Sequence, residues 1–378
     1  MGPMKTVLVT GAAGFVGSNL CSALRRRRDV EVLEFDLPGG EAELGGQLAV
    51  ADVVFHLAGV NRPQRVEEFE EVNVGLTERL CHRLTELGRR PVVVFTSSTQ
   101  ARLDNPYGTS KRRAEEVLES FSRRTGAPVR IYQLPGVFGK WCRPSYNSVV
   151  ATFCHNTAHD MPVTISDPAN VIDLVYIDDV VAEFLRLLEE PVASGVSRGE
   201  VTPTHSVSLG RLIELIRSFR ESRQTLVVPD FVDSFIKKLY ATYQSYLPAD
   251  AFAYDLQRRS DPRGTLAELL KSPPFGQIFI SRTRPGVTRG NHAHDTKVEK
   301  FCVIEGEAVI RFTHLRTREA VSYTVSGTQF RVVDIPPGWA HSIENVGNSE
   351  LIVLFWAGEV FDPERPDCFE AEVTREEA

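Results

Sequence analysis

No run of 18 consecutive apolar residues occurs in this chain of 378 residues, so no segment is long enough to cross a bilayer as a helix. Cysteine is scarce and dispersed. The six thiols, at positions 21, 81, 142, 154, 302 and 368, form no close pairs, which excludes a zinc ribbon and a disulfide-dense secreted scaffold. They read as reduced thiols of a cytoplasmic protein, and the first residues show no basic segment leading into an apolar stretch and a cleavage site. Excess positive charge is lacking too. With 43 Lys and Arg against 50 Asp and Glu, the net charge of −7 suits no phosphate backbone, so neither nucleic acid nor membrane is expected as a partner. Gly and Pro, 27 and 22 residues, are too few for low-complexity architecture. What is present is an ordinary globular composition, 42% apolar and 25% charged, with length for two domains.

The first 190 residues alternate short β-branched runs with amphipathic helical stretches. Val7–Val9, Val30–Phe35, Val53–Phe55, Val92–Phe95 and Val129–Leu134 are near-continuous apolar runs, as strands covered on both faces require. Strand–helix alternation predicts a Rossmann-type doubly wound parallel sheet. Helical patterns follow over Leu209–Phe219 and Phe231–Tyr243, and the polar run Arg258–Arg263 then punctuates the chain. Beyond Pro274 short strands recur about every ten residues (Gln277–Ser281, Phe301–Ile304, Ala308–Thr313, Ala320–Val325, Phe330–Ile335, Leu351–Phe355), which predicts an all-β sandwich or small barrel. The expected division is 1–245 and 246–378.

Thr10-Gly11-Ala12-Ala13-Gly14-Phe15-Val16-Gly17 follows the first strand and precedes a helix expected from about Ser18. Such a turn lets backbone approach a pyrophosphate and aims helix N-terminal N–H groups at it, so Gly11, Gly14, Phe15, Val16 and Gly17 are candidate dinucleotide ligands. Asp36 ends the second strand. A carboxylate there accepts bonds from ribose hydroxyls and repels a 2′-phosphate, favouring NAD over NADP; alternatively it caps a turn.

Tyr107 and Lys111 lie one helical turn apart, in YGTSK. An ammonium beside a phenol is expected to pull the phenol's pKa down, and such a tyrosine can protonate a ketone oxygen as hydride reaches carbon. Asn105-Pro106 suits the helix start. Thr96-Ser97-Ser98 closes the fourth strand, at the carboxyl edge where ligands bind such sheets.

TGAAGFVG, HLAGVN, TSS, YGTSK and LVYIDDV, in this order, resemble the extended short-chain dehydrogenase/reductases over about residues 4–190. The resemblance implies that Ser98 (or Ser97) holds the substrate carbonyl, Tyr107 donates the proton, and Lys111 orients the cofactor ribose. It also places Leu57, Ala58 and Gly59 in the cofactor cleft and Pro135-Gly136-Val137 beside the nicotinamide. Sugar-nucleotide dehydratases of that family carry an acidic pair after the active-site hydroxyl; Thr99-Gln100 stand there, so dehydration is not expected.

Gly286-x5-His292-x-His294-x4-Glu299-x6-Gly306, followed by Pro336-x-Gly338-x2-His341-x3-Asn345, resembles the two motifs of the cupins. Histidines two apart on a strand share a face, so His292, His294, Glu299 and His341 are candidate ligands for a metal, with zinc expected. A metal-free acid/base set is the other reading. Asp295 and Lys297 are expected to be solvated.

AGVNRP, DNPYG-SK, FGKWC-P-YNSVVATFC, LYATYQSYLP, GNH-H-TK-EKF and FDPERPD span the whole chain. They resemble the bacterial capsular-polysaccharide enzymes that make UDP-2-acetamido-2,6-dideoxy-β-L-talose, a reductase fused to a cupin. The resemblance implies C3 epimerisation of a 4-keto-6-deoxy intermediate in the cupin and C4 reduction in the reductase domain. It also implies a homodimer and a UDP-activated deoxysugar, with Arg62, Lys140, Asn147 and Phe153 as candidate substrate contacts. The reductive role favours NADPH, whereas Asp36 argues for NADH. Two rivals are a 4-epimerase that retains NAD and a non-catalytic redox-sensing Rossmann module with a structural cupin; the intact tyrosine–lysine pair speaks against the second.

Overall fold

The structure, a computed structural model, describes residues 4–374. The chain divides into two compact units. One holds the chain up to Arg217 together with Lys238–Pro248; the other holds Ser218–Lys237 and the chain from Ala249 onward. Helices Leu209–Thr225 and Ser234–Gln244 carry the chain across and back.

In the first unit, β1 (Lys5–Thr10), β2 (Val30–Phe35), β3 (Val53–His56), β4 (Val92–Ser98) and β5 (Pro128–Leu134) form a sheet with Gly195–Gly199. The order is β2-β1-β3-β4-β5 and then Gly195–Gly199, with every neighbouring pair parallel. Alternate side chains point to opposite faces, so each strand feeds two cores. Val7, Val9 and Phe55 join Leu20 and Phe184 on one side, while Leu8, Val54 and Phe95 join Leu118 and Phe121 on the other. This is the doubly wound parallel sheet that the apolar runs predict. A small second sheet pairs Gly136–Phe138, Val171–Tyr176 and Thr204–Ser208.

The second unit is all-β apart from its helical entry. One antiparallel sheet runs Arg258–Asp261, Gly264–Ser272, Gly276–Thr283, Leu351–Ala357, Glu299–Glu305, Val332–Ile335. The other runs Ala320–Ser326, Glu307–His314, Trp339–Asn345, Thr288–Ala293, Phe369–Glu370. Phe301, Val333, Val353 and Phe355 from the first meet Ile310, Phe312 and Ile343 from the second in one apolar core. The architecture is the expected cupin β-barrel. Arg258–Asp261, read from sequence as a polar break, is a strand whose four residues are all exposed, so it carries no burial alternation to betray it.

Two local features bear on function. The helix after the glycine turn starts at Phe15, not near Ser18, with Gly14 as its N-cap. The first-turn N–H groups therefore belong to the glycine motif itself. The long helix Pro106–Thr125 begins as expected, its Asn105 side-chain oxygen accepting from the Gly108 N–H at 2.8 Å. That cap sets the entry angle of the turn that carries Tyr107. Asn105→Ala is expected to lower the stability of this unit by about 1 kcal/mol, read as a lower thermal midpoint; no change would show that the cap contributes nothing.

Candidate functional site

The glycine turn lies where the sheet order reverses between β1 and β3, at the carboxyl ends of the strands. Gly11 has φ +72°, and a Cβ on it would meet Ala58 backbone at 2.7 Å; one on Gly17 would meet the Gly11 carbonyl at 2.0 Å. The turn and the Leu57–Gly59 loop thus touch through bare backbone, leaving a cradle that any side chain would fill. Phe15 and Val16 open the helix above it with their N–H groups beyond the reach of intrahelical acceptors. Such a cradle fits a dinucleotide pyrophosphate. The exposed Asp36 carboxylate accepts from the Ala13 N–H at 2.9 and 3.2 Å. It braces the glycine turn at the edge where the cofactor ribose is expected. Burial raises its pKa against that bond.

At the end of β4, the Ser98 hydroxyl accepts from the Gln100 N–H at 3.2 Å and, beside the Tyr107 phenol, acts to lower that phenol's pKa. Strand alternation turns Ser97 the other way, where its buried hydroxyl bonds to Glu115. Lys111 is buried, at 5% exposure; its ammonium donates to the Thr96 carbonyl at 3.0 Å and lies 5.0 Å from the Phe95 ring centre. A Cβ on Gly59 would fall 3.2 Å from that ammonium, so the lysine reaches the cofactor loop. Here the structure corrects the expected electrostatics. Burial raises the Tyr107 phenol above its ordinary value, opposed by the Ser98 hydroxyl. One turn of helix aligns the two side chains, but the ammonium is directed to a strand carbonyl. Burial instead lowers Lys111, to about 8, and Glu115 opposes that shift.

Two residues missed from sequence hold this arrangement. Asn73, in a π-helical turn, is buried; its amide oxygen accepts from the Val60 N–H at 2.8 Å, and its NH2 donates to the Val60 carbonyl at 3.0 Å and the Ser110 hydroxyl at 2.9 Å. Ser110 in turn donates to the Tyr107 carbonyl. The cofactor loop and the tyrosine turn are thereby tied together, and irregular helical turns of this type recur at functional sites. Glu115, 4% exposed, accepts from Ser97, from Gln133 at 2.9 Å and from Arg198 at 2.9 Å. Its place one turn beyond Lys111, among apolar positions 114, 118 and 121, is the signal that could have found it.

The candidate substrate contacts fare differently. Arg62 and Asn147 are exposed; of the nicotinamide candidates, Pro135 is half-buried just after β5, and Val137 is half-buried in the strand Gly136–Phe138. Lys140 is engaged by Asp178 at 2.6 Å, so its charge is already matched. Phe153 is 4% exposed within the helix Val149–Ala158, which leaves it no open face for a ligand.

In the second unit, one ligand atom from each of His292, His294, Glu299 and His341 converges within a 4.8 Å span. His292 is next to last in the strand Thr288–Ala293, displaced by an irregularity after Gly290, and His294 lies one residue beyond its end; their rings lie 5.1 Å apart. The His294 Nδ1 faces the Asp367 carbonyl at 2.6 Å and donates its proton there. Its Nε2 then presents a lone pair toward Glu299 Oε2 at 3.3 Å, and the His341 Nε2 lies 3.5 Å from the same oxygen. The His294 Nε2 and both His341 ring nitrogens are buried without a hydrogen-bond partner. Lone pairs of three imidazoles and a carboxylate facing one point suit a cation, and the donor set suits zinc. Burial lowers His292 to about 4, reinforced by the neighbouring imidazoles, keeping it neutral and able to ligate. Burial would raise the Glu299 carboxyl, but its charged and polar surroundings, the Lys297 ammonium among them, hold it well below the usual range. Contrary to expectation, Lys297 is turned in: its side chain is 13% exposed and its ammonium lies 3.6 Å from Glu299 Oε1.

The sequence matches two protein families, the NAD dependent epimerase/dehydratase family over residues 7–200 and the polysaccharide biosynthesis C-terminal domain over residues 259–369. A UDP-2-acetamido-2,6-beta-L-arabino-hexul-4-ose reductase of Pseudomonas aeruginosa is 45% identical over 367 residues, 97% of this chain and 98% of the relative. Among solved structures, the capsular polysaccharide assembling protein CapF of Staphylococcus aureus aligns with TM-score 0.89 and 41% identity, over 97% of this chain and 100% of that one. A UDP-glucuronic acid 4-epimerase of Bacillus cereus shares the fold of the first unit, with TM-score 0.55 and 19% identity over 64% of this chain and 98% of that one.

The Glu115 charge opposes the lowering of Lys111 by burial, so its removal has a defined sign. In Glu115→Gln the lysine pKa falls further, and its charge is lost at lower pH. The alkaline limb of the pH profile for NAD(P)H binding, followed by nucleotide fluorescence, is expected to move to lower pH; an unmoved limb would remove Glu115 from that role.

Proposed function

The chain belongs to the NAD-dependent epimerase/dehydratase family, among members that also carry the polysaccharide biosynthesis C-terminal domain, and we propose that it reduces the C4 ketone of a UDP-linked 4-keto-6-deoxy-N-acetylhexosamine. It is an NAD(P)-dependent oxidoreductase. The observation that carries the substrate reading is the Ser98–Tyr107 pair at the carboxyl end of β4, taken with the full-length likeness to a UDP-hexulose reductase.

When bound, the nicotinamide supplies hydride to C4. The protein's part is to bind, orient and protonate. Ser98 and Tyr107 together hold the ketone oxygen. The phenol, raised in pKa by burial, remains protonated at neutral pH and gives H⁺ to that oxygen, so C=O plus H⁻ plus H⁺ becomes CH–OH. Lys111 supplies fixed positive charge beside the cofactor loop. Thr99 and Gln100 follow Ser98 and cannot provide the acid and base that loss of water requires. NADPH is the proposed reductant on the reductive role alone; Asp36 opposes it, and a steady-state comparison in which NADH serves equally well would overturn that choice. The proposed setting is the cytoplasm, with the chain as a homodimer.

For the cupin we propose zinc held by His292, His294, Glu299 and His341, and inversion at C3 before reduction. Zinc held there would supply Lewis acidity to the sugar carbonyl and so acidify the neighbouring C3–H. Inversion then needs that proton to pass to a base in exchange with water and a proton to return on the opposite face, which is why label from deuterated water reports it. Reduction then removes the ketone and traps the inverted centre.

Incubation with the UDP-linked 4-keto sugar and NADPH, following nucleotide absorbance and product configuration, tests the whole. Tyr107→Phe is expected to lose roughly 10²- to 10⁴-fold in kcat with nucleotide binding retained. In deuterated water this variant should still incorporate label at C3, and Glu299→Gln should not. Full reductase activity in Tyr107→Phe would overturn the proton-donor role. Absence of label in Tyr107→Phe would overturn the coupled epimerisation.

A further inference from the structure

We propose that Asp367, in the FDPERPD segment near the carboxyl end, is a positioning residue for the metal-ligating cluster, an assignment that rests on the zinc reading above. The ligand His294 stands outside the strand ladder, one residue beyond Ala293. The chain from there to Glu299 has no sheet partner to fix it. Asp367 supplies the missing restraint. Its backbone carbonyl accepts from His294 Nδ1 at 2.6 Å, which commits the ring proton to that side and directs the Nε2 lone pair into the cluster. Its carboxylate holds the following three residues. One oxygen accepts from the Asp295 N–H at 2.8 Å; the other accepts from the Thr296 N–H at 2.8 Å, the Thr296 hydroxyl at 2.9 Å and the Lys297 N–H at 2.7 Å. The Gly338 N–H donates to the His294 carbonyl at 3.0 Å, a second tie.

Asp367 is itself anchored to the strand that bears His292. Phe369 and Glu370 pair with Ala293 and His292, and the Ala371 N–H donates to the Asn291 carbonyl at 3.1 Å. The segment therefore grips both histidines of the first cupin motif, one through the backbone ladder and one through Asp367. A carboxylate is required there because both oxygens face donors only. An asparagine in the same place must turn its NH2 toward at least one N–H, whichever way the amide is set.

The test uses the full-length protein, stripped with a chelator and reloaded with zinc in competition with a chromophoric chelator. Asp367→Asn is expected to weaken zinc binding about 10- to 100-fold. The rise in thermal midpoint that zinc confers should shrink in the same variant, whereas a merely structural defect would lower both midpoints and leave the rise intact. Asp362→Asn, a carboxylate of the same segment that caps the Glu364 N–H, should keep the parent affinity. Thr296→Val removes one donor and should show a smaller loss in the same direction, which keeps the assignment testable if Asp367→Asn does not fold. Parent-like affinity and midpoint rise in Asp367→Asn, or in Thr296→Val where the first does not fold, would overturn the role of Asp367 alone. A parent chain that takes up no zinc would overturn the metal reading and this assignment together.

Discussion

A lysine ammonium buried at 5% exposure is the constraint around which the first unit is arranged. Removing such a charge from water is costly unless polar and charged groups replace its hydration. The Thr96 carbonyl, the Phe95 ring face and the charge of Glu115 do so here. Each makes a demand on its surroundings. Glu115 needs donors of its own and finds them in Ser97, Gln133 and Arg198 from three neighbouring strands. Gly59 must lack a side chain to admit the ammonium, and Gly108 must lack one because a Cβ there would meet the Gln100 carbonyl at 2.2 Å. The position of Tyr107 follows from these constraints on the helix that carries it.

The second unit solves a related problem with acceptors in place of a donor. Four potential ligands turn lone pairs toward one point, and this is tolerable only if a cation or protons lie between them. In both units a carboxylate outside the reacting set does the orienting: Glu115 braces the strand ends around Lys111, and Asp367 braces the chain between His294 and Glu299. Neither side chain projects into its site. Each acts by holding backbone or a partner's proton, the usual way in which outer residues tune inner ones.

Much of this was legible in one dimension. Apolar runs, glycine spacing and cap residues depend on local sterics, so the parallel sheet, the nucleotide turn and the start of the tyrosine helix could be read directly. His292, His294, Glu299 and His341 were legible through their resemblance to the two cupin motifs, although His294 lies one residue beyond the strand that carries His292. The strand Arg258–Asp261 was not, because an exposed edge has no apolar alternation. Phe153 and Lys140 were named for likeness of sequence, and neither burial nor an ion partner shows in a residue's letter.

By itself the sequence determined which groups are present and at what intervals: a phenol and an ammonium one turn apart, and three imidazoles and a carboxylate at strand spacing. Only the tertiary structure decided what each group feels. Burial raised Tyr107 and lowered Lys111, the reverse of what the bare pairing suggested for the phenol, because desolvation depends on everything packed nearby. The same packing brought Asp367 to His294 across 73 positions of chain, a distance at which no local pattern survives.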